Sequence, residues 1–162
     1  MSLLDSKVRP KIKHQAGTRT IEIAKQAYLT SNVDAEVIEF IDDMAAAYQW
    51  ADVIICRAGA LTVSEVTAAG LPAIFVPYPH AVDDHQRLNA ESVSSAGGAI
   101  VLDEKDLDAD TLSSLINGLL NDFNQLNNMR QKSYSIAKLD AVKKIAAQCL
   151  SYAGLDSKEV TL

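Results

Sequence analysis

Cysteine and long apolar runs are scarce in this 162-residue sequence, and each shortage narrows the class of protein. The two cysteines, Cys56 and Cys149, both lie in apolar patterns, so we expect two small buried side chains and no disulfide. No apolar run approaches the roughly 18 residues of a membrane span, and the N-terminus lacks the apolar region of a signal peptide. These features predict a cytoplasmic protein that is at most peripheral to a membrane.

Basic residues are also in the minority. The sequence has 15 lysines and arginines against 21 aspartates and glutamates, which gives a formal net charge of -6. Non-specific binding of nucleic acid depends on a basic face that neutralises phosphates. Nucleic acid is therefore not an expected partner.

Glycine is sparse and scattered, with seven residues of which only Gly97 and Gly98 are adjacent. No G-x-G-x-x-G or Walker loop can be drawn through them. A doubly wound domain that binds a nucleotide normally opens with a strand and a glycine-rich phosphate loop. We therefore expect either another means of holding phosphate or a chain that begins after its first strand.

Short apolar runs alternate with helical patterns, which is typical of β-α units stacked around a parallel sheet. Strands are predicted at 11–14, 35–40, 53–56, 73–76 and 99–102, with helices at 18–30, 42–50, 60–69 and 83–96 between them. The continuous β-branched run at 53–56 predicts a strand that is buried on both faces. The predicted fold class is therefore α/β, a Rossmann-like doubly wound parallel sheet that is expected to lack its first strand. One domain is expected at 11–154, with 1–10 a tag or ragged start and 155–162 a tail.

Two later segments carry apolar residues at helical spacing, and each stripe is expected to face the core. The first stripe is Leu112, Leu115, Ile116, Leu119 and Leu120, and the second is Val142, Ile145, Ala146, Cys149 and Leu150.

The segment "CRAGALTVSE" at 56–65 joins the third predicted strand to the next helix through small residues. The backbone N–H groups of Ala58 to Leu61 would lie at the positive end of that helix, which suits a phosphate or diphosphate. Glu65 would reach back over the same face and accept hydrogen bonds from a pair of sugar hydroxyls. The alternative is that Gly59 only makes a tight turn and Glu65 only favours an early helical position.

A second candidate segment follows the fourth strand, where open α/β sheets place ligands. Asp83 or Asp84 is expected to cap the next helix. His85, Gln86 and Asn89 would then share one helical face and offer hydrogen bonds to a sugar ring. The alternative is an ordinary exposed helical face.

The remaining candidate motifs for ligand, metal or catalytic sites are weaker. Ile41 could present backbone groups to a flat heterocycle with Met44 packed on it, although helix capping by Asp42 or Asp43 is favoured. The D-x-D spacing at 108–110 reads better as capping than as a metal site. The three histidines are too scattered for a zinc site, and neither Ser64 nor Cys56 has a base partner. No metal, cofactor or catalytic residue is predicted within this chain.

Taken together, "FIDDMAAAYQWADVIICRAGALTVSEVTAAGLPAIFVPYPHAVDDHQRLNA" at 40–90 resembles the donor-binding half of the MurG family. These are the N-acetylglucosaminyltransferases that complete the lipid-linked peptidoglycan precursor. The resemblance runs from about residue 11 to residue 153. It implies the C-terminal domain of a GT-B glycosyltransferase, in which two doubly wound domains face a cleft and the C-terminal one holds UDP-N-acetylglucosamine.

Carried over by position, the resemblance implies three sets of contacts to the nucleotide. The backbone of Ile41 would meet the uracil with Met44 nearby, and Glu65 would bind the ribose hydroxyls. The diphosphate would bind at the helix start formed by Ala60, Leu61 and Thr62.

The resemblance also indicates which residues would contact the transferred sugar. Gln86 and Asn89 would hold N-acetylglucosamine, and His85 stands where some members carry another polar residue such as glutamine. Arg57 would lie beside the phosphates in a direction that the sequence does not fix.

The sequence departs from the family pattern at its start. The glycine-rich loop is absent, and so is the N-terminal domain with its acceptor site and candidate general base. The resemblance thus implies a C-terminal half that binds donor weakly and transfers nothing alone, with the lipid-linked acceptor bound mainly by the other domain. A GT-B relative with another UDP-sugar or acceptor, and a non-catalytic α/β interaction module, remain alternatives. An exposed sheet edge would also invite self-association.

Overall fold

The computed structural model describes residues 1–4 and 9–154, in which short strands alternate with helices. Their bounds are β1 Lys13–Gln15, α1 Ile21–Thr30, β2 Glu36–Ile38, α2 Met44–Trp50, β3 Ile54–Cys56, α3 Ala60–Ala68, β4 Ala73–Phe75, α4 His85–Ser95, β5 Ala99–Val101, α5 Ala109–Asn121, α6 Phe123–Ser135 and α7 Ala141–Tyr152. Single 3₁₀ turns precede α4 and follow β5. All five strands lie within one or two residues of their predicted positions.

The strands pair in parallel and form two sheets within the described residues, β1-β2 and β3-β4-β5. This arrangement fits the doubly wound strand order 3-2-1-4-5-6, with β1 and β2 as its second and third strands and β3 to β5 as its last three. The predicted α/β class with parallel strands is confirmed. β1 and β3 each have an edge that pairs with no other described strand, the feature on which the expected self-association depends.

β4 is buried along its whole length and divides the core into two layers. Ala73 and Phe75 pack with side chains from α3 and α4, while Ile74 packs on the opposite face with side chains from α5 and α6. Alternation of side chains along a strand produces this division. The helices therefore cover both faces of the sheet, as a doubly wound fold requires. Leu4 also packs in the second layer, a contact that no sequence pattern indicated.

Aspartate caps begin three of the helices. Oδ1 of Asp43 accepts a hydrogen bond from the Ala46 N–H at 2.8 Å, and Asp108 and Asp122 cap α5 and α6 in the same way. The capping interpretations of Asp43 and of the 108–110 segment are confirmed. Asp84 differs, because it precedes α4 with φ 54° and makes no side-chain capping bond. An N-cap normally adopts extended backbone, whereas Asp84 is left-handed and its carboxylate pairs with Nε of Arg87 at 3.6 Å, so the predicted cap is not formed.

Two burial predictions were wrong. Ile55 is 40% exposed, because β3 lies at the edge of its sheet among the described strands. Cys149 is exposed, and so are Val142 and Ile145 on the same stripe of α7, a helix with no buried residue. Apolar spacing shows that a helix has an apolar face, but it does not show that another element covers that face, and no described element buries this face of α7. By contrast, the stripe of α5 reaches the core through Ile116 and Leu119.

None of the helices in the described ranges is both long enough and apolar enough to cross a membrane. The predicted tail at 155–162 lies outside the described residues.

Candidate functional site

The turn between β3 and α3 presents a helix start built from small residues. Gly59 is the N-cap with extended backbone, φ -64° and ψ 149°, and it provides no side-chain cap. The first bond that closes the helix runs from the Val63 N–H to the Gly59 carbonyl, so the amides of Ala60, Leu61 and Thr62 have no partner inside the helix. Ala60 and Leu61 are exposed. The positive end of α3 is therefore open to an anion.

Two amide side chains of α4 lie beside this turn. Nδ2 of Asn89 donates a hydrogen bond to the carbonyl oxygen of Ala58 at 3.0 Å. Oε1 of Gln86 accepts one from the Tyr78 N–H at 3.0 Å, in the loop after β4. Both side chains are half-buried, whereas His85 is exposed at the first position of the helix. Gln86 and Asn89 therefore do more than cover an exposed helical face, because they join α4 to the loops at the carboxyl ends of β3 and β4.

Arg57 follows β3 and extends toward the end of β4. Its Nη1 donates to the carbonyl oxygens of Val76 and Pro77, both at 3.2 Å, and it forms an ion pair with Glu104. The guanidinium carbon also lies 5.5 Å from the centre of the Tyr78 ring. The structure thus gives the direction of the Arg57 side chain, which the sequence left open: it extends toward the end of β4. Glu104 was not predicted from the sequence, where its one signal was its place just after the fifth predicted strand.

Glu65 has a partner on the neighbouring helix. The hydroxyl of Tyr48, on α2, donates a hydrogen bond to Oε2 of Glu65 at 2.8 Å. Burial of the ring, this hydrogen bond and the charge of the carboxylate raise the pKa of Tyr48 above its ordinary value. Tyr48 was not singled out in the sequence, because it lies in an alanine-rich helix with no polar motif.

A cavity of about 660 Å³ opens between α2 and α3. This volume lies in the range of sites for small ligands. Met44 and Glu65 both line the cavity, together with Tyr48 and Arg130, so the structure brings one of the two residues predicted for the base next to the residue predicted for the ribose. Arg130 comes from α6 and forms an ion pair with Asp52 at 3.6 Å.

Ile41 lies at the carboxyl end of β2, three residues before Met44. Its backbone N–H donates to Oε1 of Gln15 at 2.9 Å, at the end of β1. A heterocycle that used this N–H would have to replace the Gln15 amide. The candidate residues therefore form two groups, one around the α3 start and one at the α2–α3 cavity, whereas Ile41 bonds to Gln15 and does not line that cavity.

A doubly wound α/β domain with an open helix start and polar side chains at the carboxyl ends of its strands has the architecture of Rossmann-like ligand-binding domains. The family model described as the glycosyltransferase family 28 C-terminal domain matches residues 2–149. The chain belongs to this family.

Individual relatives agree with this assignment. The chain is 46% identical over 153 residues to the protein from Nitrosococcus oceani named UDP-N-acetylglucosamine--N-acetylmuramyl-(pentapeptide) pyrophosphoryl-undecaprenol N-acetylglucosamine transferase, a match that covers 94% of this chain and 43% of that protein. The protein of the same name from Shewanella sediminis is 50% identical over 145 residues, which are 88% of this chain and 40% of that relative.

Among solved structures, the crystal structure of Acinetobacter baumannii MurG superposes with a TM-score of 0.82 at 38% identity. That match covers 90% of this chain and 43% of the MurG chain. The resemblance to the C-terminal half of the MurG family is confirmed. The chain spans less than half the length of these relatives.

Proposed function

We propose that this chain is the donor-binding half of an inverting glycosyltransferase. The full reaction would add N-acetylglucosamine from UDP-N-acetylglucosamine to lipid-linked muramoyl pentapeptide during peptidoglycan synthesis. The observation that carries the proposal is the open start of α3 beside Glu65, Gln86 and Asn89, in a chain that is 46% identical to a transferase of that name.

The diphosphate would bind the amides of Ala60, Leu61 and Thr62. These groups lie at the positive end of α3, and aligned helix amides stabilise negative charge on a leaving phosphate. Arg57 would add positive charge from the side of β4. In this proposal the helix start takes the part that a metal ion plays at other diphosphate sites.

The nucleoside would occupy the cavity between α2 and α3. Glu65 would accept hydrogen bonds from the two ribose hydroxyls, since a carboxylate offers about four acceptor sites and Tyr48 takes one. Met44 would pack against the uracil, which would meet the backbone of Ile41.

The transferred sugar would lie between the α3 start and α4. Oε1 of Gln86 and Nδ2 of Asn89 bind backbone groups, and the other polar atom of each amide would meet the hydroxyls of N-acetylglucosamine. His85 would stand at the rim of this sugar site, since it is exposed at the first turn of α4.

The acceptor and the general base would come from the part of the transferase that this chain does not include. Inverting transfer requires a base held opposite the donor, so the chain alone would bind donor weakly and transfer nothing. The whole enzyme would work at the cytoplasmic face of the bacterial inner membrane, where a lipid-linked acceptor is reached from the surface.

Ligand-observed NMR and thermal melting of the chain with UDP-N-acetylglucosamine, UDP-glucose and ADP test the donor proposal. We expect both uridine nucleotides to bind and raise the melting temperature, with ADP weaker. Glu65→Ala should weaken uridine nucleotides about tenfold, as expected for a charge-assisted hydrogen bond. Glu22→Ala, an exposed glutamate on α1, is the matched control. A chain that shows no uridine-dependent response would be an interaction module, and the proposal would be wrong.

A further inference from the structure

We infer that Tyr48 is a positioning residue for Glu65, whose hydroxyl fixes the carboxylate in the orientation that receives the two hydroxyls of a ribose. The inference rests on the proposed function, because it assumes that Glu65 binds this sugar. Its basis is the hydrogen bond of 2.8 Å from the Tyr48 hydroxyl to Oε2 of Glu65, which joins α2 to α3.

The two partners differ in how firmly they are held. The ring of Tyr48 is half-buried and packs against the core cluster that includes Val66 and Phe75. Glu65 is exposed on the surface of α3, and a glutamate in that position would otherwise sample several rotamers. A phenol that is anchored by the core therefore selects one orientation of a side chain that is not anchored itself.

The geometry leaves the carboxylate available to a ligand. Tyr48 uses one acceptor position of Oε2, which leaves about three acceptor positions on the carboxylate of Glu65, and both side chains line the α2–α3 cavity. A pair of neighbouring hydroxyls needs both carboxylate oxygens in a defined plane. Rotation of that plane would break one of the two hydrogen bonds, so orientation controls the selection of a diol over a single hydroxyl.

A neutral donor suits this task better than a cation would. Tyrosine leaves the negative charge on Glu65, and hydroxyl groups bind an ionised carboxylate more strongly than a neutral group. A phenol already keeps its proton at neutral pH, and burial with the neighbouring carboxylate raises the pKa of Tyr48 further above that range.

The test compares UDP with 2′-deoxy-UDP, which lacks one of the two hydroxyls. We expect the unaltered chain to prefer UDP about tenfold or more, in line with a lost hydrogen bond to a charged group. Tyr48→Phe keeps the ring and its packing but removes the donor. It should weaken UDP about five- to tenfold and leave 2′-deoxy-UDP nearly unchanged, which lowers the preference. Tyr152→Phe, at a residue of α7 that is 85% exposed, is the matched control.

The ratio of the two affinities within one variant cancels any loss of folded protein, so a merely structural role would not change it. In a Glu65→Gln background, Tyr48→Phe should have no further effect on the ratio, because both changes act on one interaction. Equal weakening of both ligands by Tyr48→Phe, or an unchanged preference, would overturn the inference. If the unaltered chain does not bind UDP, or if Glu65→Gln leaves the preference intact, the proposed site of the ribose is wrong instead.

Discussion

Nδ2 of Asn89 donates a hydrogen bond to the carbonyl oxygen of Ala58 at 3.0 Å, across 31 residues of sequence. Ala58 is fully buried, and Asn89 thereby fastens α4 to the turn from which α3 begins. The same side chain is proposed to contact the transferred sugar. Asn89 therefore has a structural role and a proposed ligand-binding role, which separate measurements of stability and of ligand affinity can distinguish.

Asn89→Ala should lower the free energy of unfolding by about 1–2 kcal/mol, because it leaves the buried Ala58 carbonyl without its donor. It should also weaken UDP-N-acetylglucosamine more than UDP, since only the former carries the sugar. Urea unfolding and ligand titration measure the two effects. Asn128→Ala, an exposed asparagine on α6, is the control for loss of the amide. Equal weakening of both ligands would remove Asn89 from the sugar site.

Gly98 and Gly118 give a matched pair of glycine-to-alanine changes. A Cβ on Gly98 would lie 2.7 Å from Cα and 2.8 Å from the backbone nitrogen of Ser133, so α6 would have to move. Gly98→Ala should destabilise the fold by about 1–3 kcal/mol, as overpacking does. A Cβ on Gly118, inside α5, meets no atom within 4 Å, and Gly118→Ala should stabilise by about 0.5–1 kcal/mol. Thermal melts of both variants check the opposite signs.

Alkaline pH should destabilise the chain through Cys56. Burial raises the pKa of this thiol from 9.0 to about 12, so the folded state keeps the proton that the unfolded state releases above pH 9. The stabilisation is therefore complete below pH 9 and is lost as pH rises toward 12, by at most about 1.4 kcal/mol per pH unit. The pKa values of Tyr28 and Tyr48 are raised as well and add to the same loss.

Urea unfolding at several pH values from 8 to 11 measures this decline. Cys56→Ala should make the decline less steep, because the variant has no thiol to ionise there. Cys149→Ala removes the exposed thiol and should leave the slope as it is. Parallel slopes for all three proteins would contradict the assignment to Cys56.

Local patterns predicted the elements well because their causes are local. Asp43 caps α2 through an amide three residues away, and Gly70 ends the next helix with φ 61°, so a short stretch of sequence contains all the information. The same holds for the positions of the strands along the chain and for the helix start after Gly59, where the small residues themselves mark the turn.

Contacts between elements could not be predicted in this way. Tyr48 meets Glu65 only because α2 packs beside α3. Nothing in the alanine-rich sequence of α2 indicates that the tyrosine hydroxyl makes a hydrogen bond to another helix. The ion pair between Arg57 and Glu104 likewise depends on how two loops meet above the sheet. The prediction that Cys149 is buried was wrong for a related reason. Its apolar stripe specifies one face of the helix but not an element that packs on that face.

The cap of α2 links stability to the site. Oδ1 of Asp43 accepts from the Ala46 N–H at 2.8 Å, and the seven-residue helix that follows carries both Met44 and Tyr48. Asp43→Ala should destabilise by about 1 kcal/mol in urea unfolding, whereas Asp43→Asn, which can still cap, should stay near the original value. Because fraying of α2 would release Tyr48 from Glu65, Asp43→Ala should also weaken UDP and lower its preference over 2′-deoxy-UDP. A variant that loses stability but keeps its preference for UDP would contradict this link. It would show that the hydrogen bond from Tyr48 to Glu65 survives without the cap, because packing of the Tyr48 ring is enough to hold the C-terminal part of α2 in place.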